Sequence, residues 1–478
     1  MRMISSKSYL WPIILILIFG LSADLHSVEH YSSVKDSITV IANNSQETIH
    51  NLPEPYMVLP FLILLLMIAT GPIFYSHFWE HHYPKISVIL GMIPVIYYLF
   101  FLKDTVHLLH STAEYLSFIA LLGSLFIASG GILIRVEKKS TPMVNTIFLF
   151  IGAVLANIIG TTGASMVLIR PFIKLNRHRI RPYHIIFFIF TVSNIGGSLT
   201  PIGDPPLFLG FLKGINFFWF VQNLWQIWLP TIAVILIIFY FVDMRNKYQA
   251  ENETTYSGKI IISGAKNFIY LGIVLFAVFL DPAVISWIPG FYPLPFGIRE
   301  IIMLIIMIVS YKTANIKILR DNEFDFEPIR EVAFLFIGIF ATMIPALQLI
   351  SHEAKLYGQQ LDAGIFFWLT GILSGFLDNA PTFLNFLSAA MGKFGLDISN
   401  VAHVKEFVLV DTIYLKAISI SAVFFGAMTY IGNGPNFMVK AISEKAGIEM
   451  PSFFAYMIRY GILILIPVYF LVWLVFFS

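Results

Sequence analysis

The sequence predicts an all-α polytopic membrane protein built as an inverted repeat, and three observations carry that prediction. The chain is 58% hydrophobic and only 12% charged over 478 residues, which is the composition of a bundle of membrane-spanning helices. Two of its apolar runs are interrupted by glycine, proline and polar residues, SNIGGSLTPIGDPP at 193–206 and MTYIGNGP at 428–435. Neither can be a continuous helix in lipid, because Gly and Pro would leave backbone groups unpaired where no water replaces them. The two interruptions also align: Thr200 with Thr429, Ile202 with Ile431, Gly203 with Gly432, Pro206 with Pro435, and Asp204 opposite the isosteric Asn433. Paired breaks in corresponding halves mark the binding site of repeat-built transporters.

Taken in order, residues 1–23 hold Arg2 and Lys7 ahead of WPIILILIFGL, which fits a signal peptide or an N-terminal anchor. Residues 24–55 form a polar external segment. The first repeat, 56–243, places spans at 57–75, 84–102 and 108–134, a hairpin at 143–173, a broken helix at 183–212 and a span at 217–243. The hairpin is inferred because 143–173 is too long for one span, carries NIIGTTGAS in its middle and has basic residues on both flanks; both flanks can be cytoplasmic only if the chain turns back. A cytoplasmic linker at 244–266 leads to the second repeat, 267–478. It has spans at 267–285, 298–311 and 328–350, a hairpin at 363–392 interrupted by LDNAPT, a broken helix at 407–440 and a last span at 453–477. Each half thus has about five spans, one re-entrant hairpin and one broken helix, about ten spans and two hairpins overall, with an extra helix if 1–23 is retained. Lys and Arg number 18 in the loops this scheme puts inside and 6 in those it puts outside, as the positive-inside rule requires.

Whole classes of function are excluded. There is no cysteine, hence no disulfide, thiolate metal site or thiol catalysis. No phosphate-binding loop appears, so coupling to ATP is not expected. No His stands beside a Ser in the interrupted segments, which argues against a hydrolase. Neither cofactor nor nucleic acid is expected; the partners are small ions and the lipid bilayer.

The candidate site residues lie at the interruptions. In the first half, Asn157, Thr161 and Thr162 at the hairpin tip can face Asn194, Thr200 and Asp204 at the break. In the second, Asp378, Asn379 and Thr382 can face Thr429, Asn433 and Asn436. Each cluster has one Asp among neutral oxygens, the donor set of a hard cation such as Na⁺. A desolvated carboxylate also takes up a proton when the cation leaves, so one acid can serve both ions in turn. The plainer alternatives are that Asp204 and Asp378 cap helices, and that Thr161, Thr162, Ser193 and Ser198 only satisfy backbone groups freed by the breaks. Asp411 and Lys416 read as an ion pair or interfacial residues, and Arg170 as a side chain snorkelling to the inner surface. His77, His81 and His82 read as part of a solvated loop.

The motifs SNIGGSLTPIGDPP, FLDNAPTFLNF at 376–386 and FFGAMTYIGNGPNFMVKAI at 424–442 closely resemble those of NhaD-type sodium/proton antiporters, within the ion transporter superfamily of citrate- and arsenite-permease-like fold. The resemblance covers nearly all of 57–478. It implies Na⁺ or Li⁺ efflux driven by proton entry, across a bacterial-type cytoplasmic membrane, by a homodimer with scaffold and transport parts. It also favours a proton-relay role for Glu114 and Glu331, which open corresponding spans and otherwise read as interfacial glutamates. The competing function is an anion permease of the same fold, for dicarboxylates, citrate or an oxyanion. Two acids at the interruptions count against it, since an anion there meets like charge.

Overall fold

The computed structural model describes residues 52–246, 258–280 and 296–478, so the readings of 1–23 and of nearly all of 24–55 lie outside the described residues. The chain from Pro53 onward forms one unit. The most apolar stretches form its centre. The run IIFFIF is hydrophobic on every side, and such a helix has to be covered on every side. It lies in α6, whose residues Ile185 to Phe190 are each 0% exposed.

The first half runs α1 (Leu59–Phe74), α2 (Ser76–Tyr97), α3 (Thr105–Gly130), strand β1 (Leu133–Val136), α4 (Pro142–Ile159), α5 (Thr161–Leu175), α6 (Pro182–Thr191), α7 (Pro205–Leu212) and α8 (Phe217–Met244). The second half runs β2 (Ile260–Ser263), α9 (Lys266–Val278), α10 (Ile298–Thr313), α11 (Ile316–Asp321), α12 (Glu327–Tyr357), α13 (Ala363–Phe376), α14 (Asn379–Lys393), α15 (Val401–Val410), α16 (Thr412–Phe425), α17 (Gly434–Lys445) and α18 (Phe453–Phe476). The fold is all-α apart from β1 and β2, which pair antiparallel with Leu133 opposite Ser263. That small sheet falls where unbroken helix and linker were expected.

Seven helices among the described residues are long and apolar enough to cross a membrane, or eight if α15 and α16 count as one bent span. That is fewer than the expected ten, because α9 and α13 are short and the broken elements are split into pieces. Two further expectations change. The stretch 76–85 is not a loop: α2 begins at Ser76 and takes Pro84 within it. Its histidines are spent on the helix, His81 Nδ1 meeting the His77 carbonyl at 2.8 Å and His82 Nδ1 the Phe78 carbonyl at 2.9 Å. The second broken helix does not run straight from 407, since α15 and α16 meet at 98° around Asp411.

Two helix pairs fold back on themselves. In the first, α4 and α5 turn at Gly160, whose φ of +78° favours glycine. Their far ends are clasped: Asn145 and Asn176 exchange amide hydrogen bonds of 2.8 and 3.0 Å. In the second, α13 and α14 turn at Leu377–Asp378. Lys393 Nζ, at the end of α14, donates to the Leu361 carbonyl just before α13 at 2.6 Å. A chain whose two ends touch has made a hairpin.

Candidate functional site

Each break is built by the same small set of bonds. In the first, Thr200 Oγ1 donates to the Asn157 carbonyl at 2.6 Å and accepts from Gly203 N at 3.0 Å. In the second, Thr429 Oγ1 donates to the Gly375 carbonyl at 2.6 Å and accepts from Gly432 N at 3.1 Å. A threonine thus stitches each break to the hairpin of its own half. The glycines follow the same plan. A Cβ on Gly203 would stand 2.0 Å from the Gly197 carbonyl oxygen, and one on Gly432 would stand 2.7 Å from that of Gly426. Only glycine permits two backbone strands to cross so closely. Carbonyls freed by the interruptions are met by side chains from the flanking spans. Trp228 on α8 donates to the Ile195 and Gly196 carbonyls at 2.9 and 3.1 Å. Tyr456 and Tyr469 on α18 donate to those of Ala427 and Phe424.

The four interruptions converge on one carboxylate. Asp204 is 1% exposed. Its Oδ1 accepts from Thr161 Oγ1 at 2.8 Å and Asn433 Nδ2 at 2.9 Å, and its Oδ2 accepts from Asn379 Nδ2 at 3.0 Å. Thr161 comes from the first hairpin tip, Asn379 from the second, and Asn433 from the second break. The acid of the first half is therefore shared between the halves, because the second hairpin tip and the second break both reach it. Around it, Ser374 Oγ donates to Asn379 Oδ1 at 2.7 Å, and Asn194 Nδ2 donates to Asn436 Oδ1 at 2.7 Å. Asn157 supports the first break from beneath, its Oδ1 accepting from Leu199 N at 2.9 Å. Asn194 is fully buried, yet its Oδ1 has no hydrogen-bond partner among the described residues; it lies against Gly426 beside Asn379. A buried carbonyl oxygen without a donor is costly unless it serves a ligand.

The two aspartates differ. Asp204 sits at the N-cap of α7 but makes no capping bond. Pro205 and Pro206 follow it, and proline has no N–H to donate. Its side chain therefore faces only the centre. Asp378 does cap α14, accepting from Ala380 N at 2.9 Å. It is half-buried, and its charge reaches Asp204. Thr382 bonds back to the Asp378 carbonyl at 2.9 Å. Thr162 is half-buried beside Thr161 and is not among the groups bonded to Asp204. Neither glutamate joins the centre. Glu114 is buried on α3 and paired with Lys213 at 2.7 Å, and Glu331 lies half-buried near the start of α12, close to Glu327 and Glu80.

A second buried polar centre went unread in the sequence. Asp243, 0% exposed near the end of α8, accepts from Arg179 at 2.9 Å, Tyr183 Oη at 2.6 Å and Asn145 Nδ2 at 2.9 Å, with His184 Nε2 at 3.0 Å. It ties the base of the first hairpin to α6 and α8. Arg179 reads in sequence as one more flanking cation, and an Asp at the end of an apolar span reads as interfacial. The only signal was a lone acid inside the run FYFVDM.

Comparison with known proteins now bears on this geometry. The profile of the family CitMHS_2, described as "Putative citrate transport", matches residues 50–477. No curated protein matches the chain significantly. The match spans both hairpins and both breaks, and its description is citrate transport rather than the sodium/proton antiport of the proteins that the motifs resemble. The chain belongs to the CitMHS_2 family, within the ion transporter superfamily: it is a multi-pass membrane protein of a transporter family, not an enzyme.

Proposed function

We propose that the protein is a secondary transporter exchanging Na⁺ or Li⁺ for H⁺, with Asp204 as the group that holds the two ions in turn and Asp378 as a second acid beside it. The observation that carries this reading is the company Asp204 keeps. Its hydrogen-bond partners are all neutral, from Thr161, Asn379 and Asn433. An anion entering such a centre meets a carboxylate with no side-chain cation bonded to it, whereas a small cation finds oxygens. The unpartnered Asn194 Oδ1 adds one more. Proton and cation compete because both need the same oxygens. The recurring threonine and glycine contacts support two repeats of one unit, and the clasped ends support re-entrance of both hairpins; their entry from opposite faces, the inverted repeat, about ten crossings, a homodimer and a bacterial-type cytoplasmic membrane complete the proposal.

A second reading is favoured by the family description: transport of citrate or another dicarboxylate. Four helices, α5, α7, α14 and α17, begin at or beside the Asp204 centre, and helix N-termini attract anions. The family match speaks for this reading more than for the first. Everted vesicles loaded with a pH-sensitive dye separate them. Proton movement on adding Na⁺ or Li⁺, with none on adding citrate or succinate, supports the exchange. A response to the dicarboxylates alone overturns it in favour of the second reading.

A further inference from the structure

Asp204 is one end of a short rod, and the other end of that rod is held. Helix α7 has eight residues, about 12 Å at 1.5 Å per residue. Asp204 stands at its N-cap and Lys213 at its C-cap. Lys213 Nζ lies 2.7 Å from Glu114 Oε1, with side chains 12% and 8% exposed. One turn further along α3, Ser117 Oγ donates to Glu300 Oε1 at 2.9 Å. Glu300, in the first turn of α10, is paired with Arg299 at 2.6 Å. The Arg299 guanidinium in turn lies over the Phe211 ring, 5.5 Å from its centre, and Phe211 is in the last turn of α7. The contacts form a closed circuit from α7 through α3 and α10 back to α7. His110, one turn before Glu114 on α3, faces the charges of both Glu114 and Lys213.

A buried ion pair adds little to stability against an apolar substitute, but an arrangement that parts its two members leaves a buried charge uncompensated, which is costly. An eight-residue helix is too short to absorb strain between its ends. Wherever Lys213 is held, Asp204 follows.

We propose that Glu114 is a positioning residue. With Lys213 it forms a latch that holds Asp204 in the closed centre seen here, and the latch opens when the centre is exposed to one side of the membrane. The role differs from proton relay: the glutamate acts through its pairing, not by carrying the transported proton. This rests on Asp204 being the exchange site, so the test is read without transport.

The chain has no cysteine, so a single reporter can be placed at Leu199→Cys, half-buried beside the first break. Labelling by a membrane-impermeant maleimide is followed in right-side-out and everted vesicles. Glu114→Gln and Lys213→Met should each raise the labelling rate on one side by roughly fivefold or more, the lower range of coupling between two-state elements. Lys213→Arg should leave it near the parent rate. The charge swap Glu114→Lys with Lys213→Glu should return it to within about twofold of the parent, because the pair is restored. If a single variant fails to reach the membrane, the swap decides alone: parental labelling supports the latch, and raised labelling in a well-inserted swap overturns it. Unchanged labelling in a well-inserted Glu114→Gln also overturns it. Shifted labelling together with normal transport by Asp204→Asn would keep the latch and remove the exchange site instead.

Discussion

Replacing Asp204 by Asn is the sharpest perturbation of the proposed centre, because the structure separates its effect on folding from its effect on charge. The three donors around Asp204 leave no room for an amide NH₂ unless one partner turns. Oδ1 accepts from Thr161 and Asn433, so the amide oxygen belongs there and the NH₂ faces Asn379 Nδ2, now 3.0 Å away. Asn379 can flip. Its oxygen then accepts from the new amide, and its NH₂ points at Ser374 Oγ, whose single hydroxyl proton turns from Asn379 to the Ala422 carbonyl. Each hydrogen bond falls from a charge-assisted to a neutral one, a loss on the order of 1 kcal/mol apiece. Removing a carboxylate from membrane depth returns about 2.5–3.5 kcal/mol. Stability should therefore change by no more than about 1 kcal/mol. Cation binding should not survive. A unit charge about 4 Å from the carboxylate, at an effective dielectric constant near 20, is held by about 4 kcal/mol. That is a loss of nearly a thousandfold in affinity. The assay is Na⁺-dependent proton movement in everted vesicles, alongside membrane abundance and the thermal midpoint of the solubilised protein. Near-normal exchange by an abundant, stable Asp204→Asn protein would refute the assignment.

Other substitutions test the remaining parts. Asp378→Asn keeps the cap on α14 and removes only the charge, so exchange should fall while the thermal midpoint stays put. Asp378→Ala should in addition cost about 1 kcal/mol of stability, read as a lower midpoint. Gly203→Ala forces a methyl to within 2.0 Å of the Gly197 oxygen, which should abolish exchange and lower the midpoint clearly; its counterpart Gly432→Ala, at 2.7 Å, should be the milder of the two. Asp243→Ala leaves Arg179 buried without its carboxylate and should cost about 3–5 kcal/mol, whereas Asp243→Ala combined with Arg179→Met should recover much of that loss in the same melting measurement.

Local chemistry made the breaks legible in the sequence. Gly and Pro inside apolar runs cannot be hidden, and the matched positions Thr200 with Thr429 and Gly203 with Gly432 make matched contacts in the structure. The contacts that join the halves were not legible. Asn379 and Asn433 reach Asp204 across 175 and 229 residues of chain, and no period in one sequence encodes such a meeting. Nor did the sequence show that Asp378 would be occupied as a cap while Asp204 would not, although the two prolines after Asp204 held that answer. Paired charges were the hardest to read. Lys213 and Arg179 look like loop cations until Glu114 and Asp243 are seen against them. The stretch HFWEHHYP misled because its polar residues read as a solvated loop, whereas α2 begins at Ser76 and carries Pro84 within it.

The Asp243 centre also bears on how the chain is made. Arg179 precedes Asp243 by 64 residues, and synthesis runs from the N-terminus. While α4, α5 and α6 are being inserted, Arg179 is a free cation beside Lys174, Arg177 and Arg181, and in the proposed topology it adds to the positive charge that keeps that flank on the cytoplasmic side. Its partner arrives only with the end of α8, when orientation is already set. The same guanidinium then leaves water, joins Tyr183 and His184 around Asp243, and locks the first hairpin shut. One side chain serves first as a topological signal and later as a bolt, and the completion of α8 is the event that converts the first into the second.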